Sequence, residues 1–304
     1  MKQVSMKILG QVPQMVLGCM RIEGINNNER RHLLETALEL GINYFDHADI
    51  YGAGNCERLF SQAMKEIGVS RDRVILQSKC GIRSGFFDFS KVHILASVDG
   101  ILERLQTDYL DVLLLHRPDT LMEPEEVADA FRVLKSSGKV RAFGVSNQTP
   151  MQMELLTRYV KEPLIANQLQ FSVTNTGMID EGLCANMQND AAVNRDGEVL
   201  EYCRLHDITI QAWSPLQYSY FGGVFIGSEK YPELNRVLEE MGEKYGVSKT
   251  AMAIAWIMRH PAGIQPVLGT MNVERLKEIS KAADVTLSRE DWYKIYLSAG
   301  NILP

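Results

Sequence analysis

The sequence lacks several features that mark particular classes of protein. It has no apolar run near the roughly 18 residues that a membrane span needs, and its N-terminus lacks the continuous apolar segment of a signal peptide. It also has no basic stripe, and its formal net charge is -6. We therefore expect neither a membrane partner nor a nucleic-acid partner.

Cysteine is scarce, and its positions form no recognisable pattern. No C-x-x-C pair occurs, the number is odd, and the spacing suits neither a disulfide framework nor a zinc site. Such usage is typical of a reducing compartment, so the cytoplasm is the expected location. The five residues are Cys19, Cys56, Cys80, Cys184 and Cys203.

Short apolar, β-rich runs are abundant, and they alternate with segments of helical periodicity. Eight runs can be counted, each followed by at least one helical segment. Short, nearly all-apolar strands that alternate with helices indicate a parallel sheet covered on both faces. The runs are Met15–Cys19, Asn43–Asp46, Val74–Lys79, Leu110–His116, Ala142–Asn147, Ile165–Phe171, Thr209–Pro215 and Gln265–Thr270.

Eight strand–helix units predict an α/β fold, a (β/α)8 TIM barrel that forms one domain over residues 1–304. An open doubly wound sheet is the alternative, disfavoured by the number of units and by the lack of a central Gly-rich turn. Residues 1–14 fall outside the repeat and are expected to form a β-hairpin under the barrel. The long loops Ser172–Gly197 and Gln217–Tyr231 should lie at the C-terminal face as lids or substrate walls, although the first could be a solvated insertion.

Residues typical of helix termini lie at the ends of the helical segments. Gly41, Gly68, Gly138 and Gly246 each follow a helical run, where a left-handed C-cap is needed. Ser248 precedes another run and can cap its N-terminus.

Ionisable side chains collect where the predicted strands end, which is where barrels carry their chemistry. The second run ends in Asp46, the third in Lys79 and the fourth in His116, and Tyr51 follows Asp46 by five residues. Each has a structural explanation by itself: an Asp–Lys pair between neighbouring strands, a core histidine, an exposed loop tyrosine. Four such groups at one rim favour a catalytic site.

Asp46, His47, Asp49 and His116 could also be read as ligands of a metal ion. Zinc hydrolase barrels generally carry closely spaced histidine pairs on a strand, and this chain has six histidines with no such pair. We therefore predict no metal site.

The segments that carry these residues resemble the signatures of the aldo-keto reductase superfamily. "GINYFDHADIYG", "ILQSKCG", "YLDVLLLHRPD" and "GKVRAFGVSN" occur in the family's order and at its spacings. "NQLQF", "AWSPL" and "PVLGT…ER" match its later cofactor segments, so the resemblance covers nearly the whole chain. "DHADIYG" with "HRPDTLMEPEEVADAF" looks closest to the bacterial YdhF-like branch.

The resemblance implies an NADPH-dependent oxidoreductase that reduces an aldehyde or ketone to an alcohol by hydride transfer, with Tyr51 as general acid. Asp46, Tyr51, Lys79 and His116 would form the catalytic tetrad. The Lys79 ammonium would lower the pKa of Tyr51 and ease proton donation, and Asp46 would hold Lys79 charged. A neutral His116 would donate a hydrogen bond to the carbonyl oxygen.

His47 and Asp49 would then only shape the loop that aims Tyr51. Met20 and Arg21 would lie near the substrate. Phe86 and Phe87 could line an apolar mouth or, equally, pack beneath the third helix. Three more aromatic residues could complete such a mouth: Tyr218, Tyr220 and Phe221.

The resemblance also implies a set of cofactor contacts along the later strands. Many members carry a lysine at the position where this chain has Gly269. Without that lysine, Arg275 alone remains to pair with a phosphate, which one arginine can do bidentately. NADPH (NADP+) is the expected cofactor, and NADH is left open. The implied residues are Ser146, Asn147 and Gln168 for the nicotinamide carboxamide, Trp213 for ring stacking, Ser214 and Leu216 for the pyrophosphate, and Gly269, Thr270 and Arg275 for the adenosine 2′-phosphate.

Other functions remain as alternatives. Some superfamily members dock on membrane channels, so a cofactor-binding regulatory or redox-sensing subunit is the second hypothesis; the intact tetrad and the absence of an added N-terminal segment favour the enzyme. A barrel lyase or isomerase is disfavoured by the Ser-Asn, Gln and Trp-Ser-Pro-Leu set. The expected partner is a small carbonyl substrate. The sequence contains no coiled-coil heptad, and we expect a monomer or weak homo-oligomer.

Overall fold

A computed structural model describes all 304 residues and shows a closed barrel of eight parallel strands surrounded by helices. Two short antiparallel pairs lie outside the barrel. The strands are β1 (Gln3–Met6), β2 (Gly10–Pro13), β3 (Val16–Gly18), β4 (Tyr44–Asp46), β5 (Ile75–Cys80), β6 (Ile82–Arg83), β7 (Phe86–Phe87), β8 (Leu110–His116), β9 (Val140–Ser146), β10 (Leu164–Gln170), β11 (Thr209–Trp213) and β12 (Gln265–Leu268).

The predicted barrel is confirmed, and its strands close in the order β3-β4-β5-β8-β9-β10-β11-β12. Each barrel strand overlaps one of the eight runs. None of the helices combines the length and the apolar character that crossing a membrane requires. The helices are α1 (Asn27–Glu39), α2 (Asn55–Ile67), α3 (Lys91–Leu105), α4 (Pro124–Ser136), α5 (Pro150–Thr157), α6 (Gly177–Leu183), α7 (Val199–Leu205), α8 (Pro232–Tyr245), α9 (Lys249–Met258), α10 (Val273–Ser280) and α11 (Arg289–Ser298).

The predicted helix termini have the geometry that their residue types suggest. Gly41, Gly68, Gly138 and Gly246 have φ values of 77°, 76°, 77° and 69°, in the left-handed region that glycine adopts without a steric penalty. The Ser248 side chain accepts a hydrogen bond from the backbone N–H of residue 251, which caps α9.

One helix, α6, was not predicted, and it lies within the long loop after the sixth strand. Its sequence, GMIDEGL, contains two glycines, which disfavour a helix, so the local pattern does not indicate one. The first long loop is therefore partly structured, whereas the second, over residues 217–231, contains no helix or strand.

The apolar core has two parts. A large cluster of 69 buried residues lies between the barrel and its helices, and a smaller cluster of 10 lies inside the barrel. Met6 and Val12 of the β1–β2 hairpin belong to the smaller cluster, so the hairpin closes the N-terminal end of the barrel as predicted. Above this plug, towards the C-terminal mouth, the interior becomes polar.

Candidate active site

Neighbouring strands bring the predicted tetrad together. Asp46 ends β4, Lys79 lies in β5 and His116 ends β8, and these three strands are adjacent in the barrel. The Lys79 Nζ lies 2.7 Å from Asp46 Oδ2 and 3.2 Å from Tyr51 Oη. The rings of Tyr51 and His116 meet edge to face, with centroids 6.2 Å apart. All four side chains therefore converge on one point of the mouth.

The loop from Asp46 to Tyr51 runs alongside β5, which carries Tyr51 over Lys79. The backbone N–H of His47 donates to the Gln77 carbonyl at 2.8 Å, and that of Asp49 donates to the Lys79 carbonyl at 3.0 Å. These bonds extend the β4–β5 ladder beyond the end of β4. The Lys79 Nζ also donates to the His47 carbonyl at 2.8 Å, which fixes the loop to the lysine from inside.

Lys79 is fully buried, and its charge is held by its neighbours. Burial by itself lowers the pKa of the ammonium, but the Asp46 carboxylate and Tyr51 outweigh it, so that the pKa is raised from its ordinary value. The site therefore contains a permanent ammonium beside the phenol of Tyr51.

The net effect on Tyr51 differs from the sequence-based expectation. Burial raises the pKa of Tyr51, and the Lys79 ammonium, which lowers it, only partly offsets that effect. The expectation considered the ammonium alone, and the fold adds the loss of water around a phenolate. Tyr51 therefore carries its proton at neutral pH.

His116 is neutral in this environment. Burial lowers the pKa of its imidazole well below the ordinary value, and the cations of Lys79 and Arg117 add to the shift. Its Nδ1 is buried and has no hydrogen-bond partner. Because an N–H without an acceptor is costly to bury, we assign the single ring proton to Nε2.

His47 and Asp49 do not assemble a metal site. No group of three or more His, Cys, Asp and Glu side chains in the structure could hold a metal ion. Neither ring nitrogen of His47 has a partner, and the ring packs edge-on against Phe60 with centroids 4.5 Å apart. Burial and the charge of Glu57 raise the pKa of Asp49 to about 6.

The residues predicted to hold the nicotinamide carboxamide lie next to one another. Ser146 Oγ donates to the Gln168 carbonyl at 3.2 Å, and Asn147 Nδ2 donates to Ser146 Oγ at 2.7 Å. Trp213 Nε1 donates to Asn147 Oδ1 at 3.1 Å, which fixes the indole at the mouth. Gln168 Nε2 donates to Asp46 Oδ1 and to Gln211 Oε1, both at 3.1 Å. The Oε1 atom of Gln168 has no hydrogen-bond partner within the chain.

The predicted pyrophosphate contacts form the turn after β11. Ser214 has a φ of 51°, and its Oγ donates to Gln217 Oε1 at 3.1 Å. The Leu216 carbonyl accepts from the backbone N–H of Phe225 at 3.1 Å. The second long loop thus folds back on the turn that it follows.

The predicted 2′-phosphate segment leads into α10. Thr270 Oγ1 accepts from the backbone N–H of Asn272 at 3.2 Å, and Arg275 is exposed with no carboxylate within 4.0 Å. Arg21 donates through Nη1 to the Gly269 carbonyl at 3.4 Å. It therefore adds a second cation to this segment.

Aromatic side chains surround the mouth on one side. Tyr220 and Phe221 each lie 6.3 Å from Trp213, measured between ring centroids. Phe86 and Phe87 are exposed on the β6–β7 hairpin, so they do not pack beneath the third helix.

Sequence reasoning missed one cation at the mouth. The guanidinium of Arg117 lies 5.2 Å from the Trp213 centroid and 5.6 Å from that of Tyr220. Arg117 has a φ of 76°, unusual for a residue with a side chain. Its position directly after His116 was the signal that could have drawn attention to it.

Sequence reasoning also missed buried glutamines below the tetrad. Gln77 precedes Lys79 by two residues and Gln211 precedes Trp213 by two, which puts each pair on one side of its strand. The Gln77 side chain donates to Asp46 at 2.6 Å. A polar residue at the centre of an otherwise apolar strand was the available signal.

Comparison with known proteins identifies relatives along the whole barrel. The model of the Aldo/keto reductase family matches residues 14–296. The chain is 37% identical to "Uncharacterized oxidoreductase YcsN" of Bacillus subtilis, with 94% of both chains covered. It is 34% identical to a 6-dehydroglucose reductase of Agrobacterium fabrum, with 98% of both covered. The resemblance to the YdhF-like branch is confirmed by 33% identity to the Escherichia coli oxidoreductase YdhF, with 93% of this chain and 92% of YdhF covered.

A solved structure with the same architecture is the thermostable aldo-keto reductase Tm1743 in complex with the inhibitor epalrestat. It superimposes with a TM-score of 0.80 at 26% identity, covering 98% of this chain and 100% of the other.

Proposed function

This chain belongs to the aldo/keto reductase family, and from that premise we propose that it is an NADPH-dependent oxidoreductase that reduces an aldehyde or ketone to an alcohol. The observation that carries the proposal is the Lys79 ammonium, which contacts Asp46 at 2.7 Å and Tyr51 at 3.2 Å within one mouth. In the reverse direction the same site would act on CH–OH donors.

Tyr51 is the proposed general acid. Its phenol keeps its proton at neutral pH and gives it to the carbonyl oxygen as negative charge develops there. The Lys79 ammonium stabilises the phenolate that remains, and Asp46 holds that ammonium in place. Proton transfer from a positioned side chain typically contributes about 10²–10⁴-fold to the rate.

His116 is the proposed second donor to the carbonyl oxygen. Because its imidazole is neutral, its Nε2–H polarises the carbonyl without competing with Tyr51 for the role of acid. This arrangement also orients the substrate, since two donors from different strands then define where its oxygen lies.

The mouth suits a nicotinamide cofactor. Gln168 Oε1 is an acceptor without a partner, Trp213 presents a ring that Asn147 holds in place, and Arg275 is a cation without a carboxylate. When bound, such a cofactor would supply the hydride. Ser146, Asn147 and Gln168 would hold its carboxamide and Trp213 would stack on its ring; the remaining proposed contacts are Ser214, Leu216, Gly269, Thr270 and Arg275.

Substitution of Tyr51 by phenylalanine tests the proposal. Tyr51→Phe should lower kcat for aldehyde reduction by at least about 10²-fold, because the proton donor is lost, with unchanged affinity for NADPH. Stopped-flow or steady-state oxidation of NADPH measures the first quantity, and fluorescence titration the second. A near wild-type rate for Tyr51→Phe would refute the assignment. Cofactor binding by the wild type without turnover of any carbonyl would instead support a regulatory or redox-sensing subunit.

The cofactor preference can be tested at Arg275. The wild type should bind NADPH more tightly than NADH, and Arg275→Ala should weaken NADPH alone, because a hydrogen-bonded charge pair contributes about 1.5–3 kcal/mol, or roughly 10–100-fold. Titration of both nucleotides against both proteins measures this. Equal affinities of the wild type for the two nucleotides would contradict an NADPH preference.

The substrate screen should include aliphatic, aromatic and sugar-derived aldehydes. A 34% identical relative is named 6-dehydroglucose reductase, so an oxidised hexose belongs in the panel. We further propose a monomer or weak homo-oligomer, a single barrel domain over residues 1–304, in the cytoplasm. Sedimentation equilibrium would measure the oligomeric state.

A further inference from the structure

The barrel interior between the tetrad and the hairpin plug contains amide side chains in place of hydrocarbon. Four glutamines project from four strands and are buried together with the phenol of Tyr44. They are Gln77, Gln168, Gln211 and Gln265. Barrel interiors are usually filled by bulky branched residues. Burial of an amide is costly unless each polar group finds a partner, so the contacts of these five side chains need an explanation.

The hydrogen bonds of this glutamine network all run in one direction. The Pro13 carbonyl, at the N-terminal end of the barrel, sets that direction. The Pro13 carbonyl can only accept, and Gln265 Nε2 donates to it at 2.7 Å. Gln265 therefore presents Oε1 to its other neighbour, and Gln211 Nε2 donates to that atom at 3.2 Å. Gln211 Nε2 also donates to Tyr44 Oη at 3.3 Å. As a result, Gln211 turns its Oε1 towards the mouth.

At the top of the network, this direction reaches the tetrad. Gln211 Oε1 accepts from Gln77 Nε2 at 2.8 Å and from Gln168 Nε2 at 3.1 Å. Each of these amides directs a donor to Asp46 Oδ1 as well, at 2.6 Å and 3.1 Å. Tyr44 donates to Gln77 Oε1 at 2.8 Å, which holds that amide in the same orientation. The Asp46 carboxylate is thus surrounded by donors only.

We propose that Gln77, held by Gln211 behind it, is a positioning residue that fixes the Asp46–Lys79 pair against Tyr51. The proposal rests on the proposed role of Tyr51 as general acid. Because Gln77 and Gln168 both offer N–H groups to Oδ1, the carboxylate cannot rotate away from Lys79 without losing these two hydrogen bonds. Lys79 in turn stays at its 3.2 Å distance from Tyr51 Oη.

Loss of the Gln77 donor should be visible at Tyr51. Asp46 Oδ1 would lose its shortest contact, the ion pair would loosen, and the ammonium would oppose the effect of burial on Tyr51 less strongly. Tyr51 would then lose its proton at a higher pH than in the wild type. The titratable groups that face Lys79 and Tyr51, all unchanged in the variants below, are Asp46 at the end of β4, His47 after β4, Cys19 after β3, Glu57 on α2 and His116 on β8.

The experiment compares pH profiles of kcat for Gln77→Leu and Gln211→Leu, with NADPH and 4-nitrobenzaldehyde as reporters. Gln77→Leu should lower kcat about tenfold or more, as expected for loss of a hydrogen bond to a charged group, and should move the alkaline limb to higher pH. Gln211→Leu, one step further away, should move the same limb by a smaller amount. NADPH affinity should stay unchanged in Gln77→Leu, because the Gln77 side chain has no hydrogen bond to any proposed cofactor contact.

An isosteric substitution separates hydrogen-bond direction from packing. Gln77→Glu changes a single heavy atom, but it puts an acceptor against Asp46 Oδ1, and two carboxylates at that distance must share a proton. We expect a larger loss of kcat than in Gln77→Leu above neutral pH, with partial recovery on acidification. If Gln77 only fills space, the glutamate variant should be the milder of the two. This variant also carries the test if Gln77→Leu does not fold.

Gln14 offers a matched control. It is a buried glutamine whose Nε2 donates to the carbonyls of Met258 and Ile264, both at 3.1 Å, and its side chain has no hydrogen bond to any side chain of the glutamine network. Gln14→Leu should lower the unfolding temperature but leave the pH profile unchanged. The proposal is overturned if the profiles of Gln77→Leu and Gln211→Leu superimpose on those of the wild type and Gln14→Leu. An active Tyr51→Phe, by contrast, would defeat the proposed function itself.

Discussion

At the scale of single residues, the loop between Asp46 and Tyr51 contains a carboxylate that the proposed chemistry does not use. Asp49 is partly buried, and its Oδ1 has no hydrogen-bond partner. Burial first, and Glu57 second, raise its pKa to about 6. Its ionised form is therefore an energetic cost that the fold bears at neutral pH.

Replacement of Asp49 by asparagine should make the protein more stable at alkaline pH. The folded state binds the Asp49 proton more tightly than the unfolded chain does, so this stabilisation is complete below about pH 4 and is lost as the pH rises through about 6. Asparagine mimics the protonated form. The free energy of unfolding in urea should rise by about 1–3 kcal/mol near pH 8 and change little near pH 4. A variant less stable than the wild type near pH 8 would show that the ionised carboxylate has a favourable partner.

At the scale of secondary-structure elements, one largely buried ion pair joins two helices to β5, the strand that carries Lys79. Glu57 of α2 accepts from Arg104 of α3 at 2.7 Å and from Ser78 Oγ of β5 at the same distance. Glu57 is fully buried. The pair therefore fixes α2, and with it the turn at Tyr51, against β5.

Loss of this pair should destabilise the protein far more than loss of a surface pair. Arg104→Met leaves the Glu57 carboxylate buried and unpaired, and should lower the free energy of unfolding by roughly 3 kcal/mol. Arg132→Met, which removes an exposed pair with Asp129 on α4, is the matched control and should cost less than about 0.5 kcal/mol. Urea denaturation of both variants measures the difference. Equal losses would mean that Glu57 becomes protonated at no appreciable cost.

At the scale of the whole molecule, buried neutral histidines link folding to pH. Burial lowers the pKa of His47 to about 3 and that of His260 to about 4, and it lowers that of His116 well below its ordinary value. In the unfolded chain each would titrate near 6.5. The unfolded state therefore binds more protons below that pH, and the stability that these residues contribute is lost as the pH falls from about 6.5 towards 3–4.

The free energy of unfolding should accordingly fall steeply on acidification. His47 is the residue to test, because its ring has no hydrogen-bond partner and packs edge-on against Phe60. His47→Leu should remove about one proton from the linkage, which reduces the slope between pH 6 and pH 4 by up to about 1.4 kcal/mol per pH unit. Urea unfolding across this range measures the slope. An unchanged slope would place the proton uptake elsewhere.

The sequence by itself determined the architecture and the position of the rim. Strand periodicity and helix-ending glycines are local properties, so eight units and most of their boundaries could be read from neighbouring residues. Because barrels expose the C-terminal ends of their strands, Asp46, Lys79 and His116 could be assigned to one face before any contact was known. The helix α6 contains two glycines, and its sequence shows no such pattern.

Only the tertiary structure decided the electrostatics of the site. The net pKa shift of Tyr51 depends on how much water the closed barrel excludes, which no local pattern encodes. The same holds for Arg21, whose guanidinium reaches Gly269 through the closure of β3 against β12. The link from Gln77 to Gln211 joins residues 134 positions apart in the chain. Side chains this distant meet only because eight strands close into a ring, and that closure sets which of them face each other.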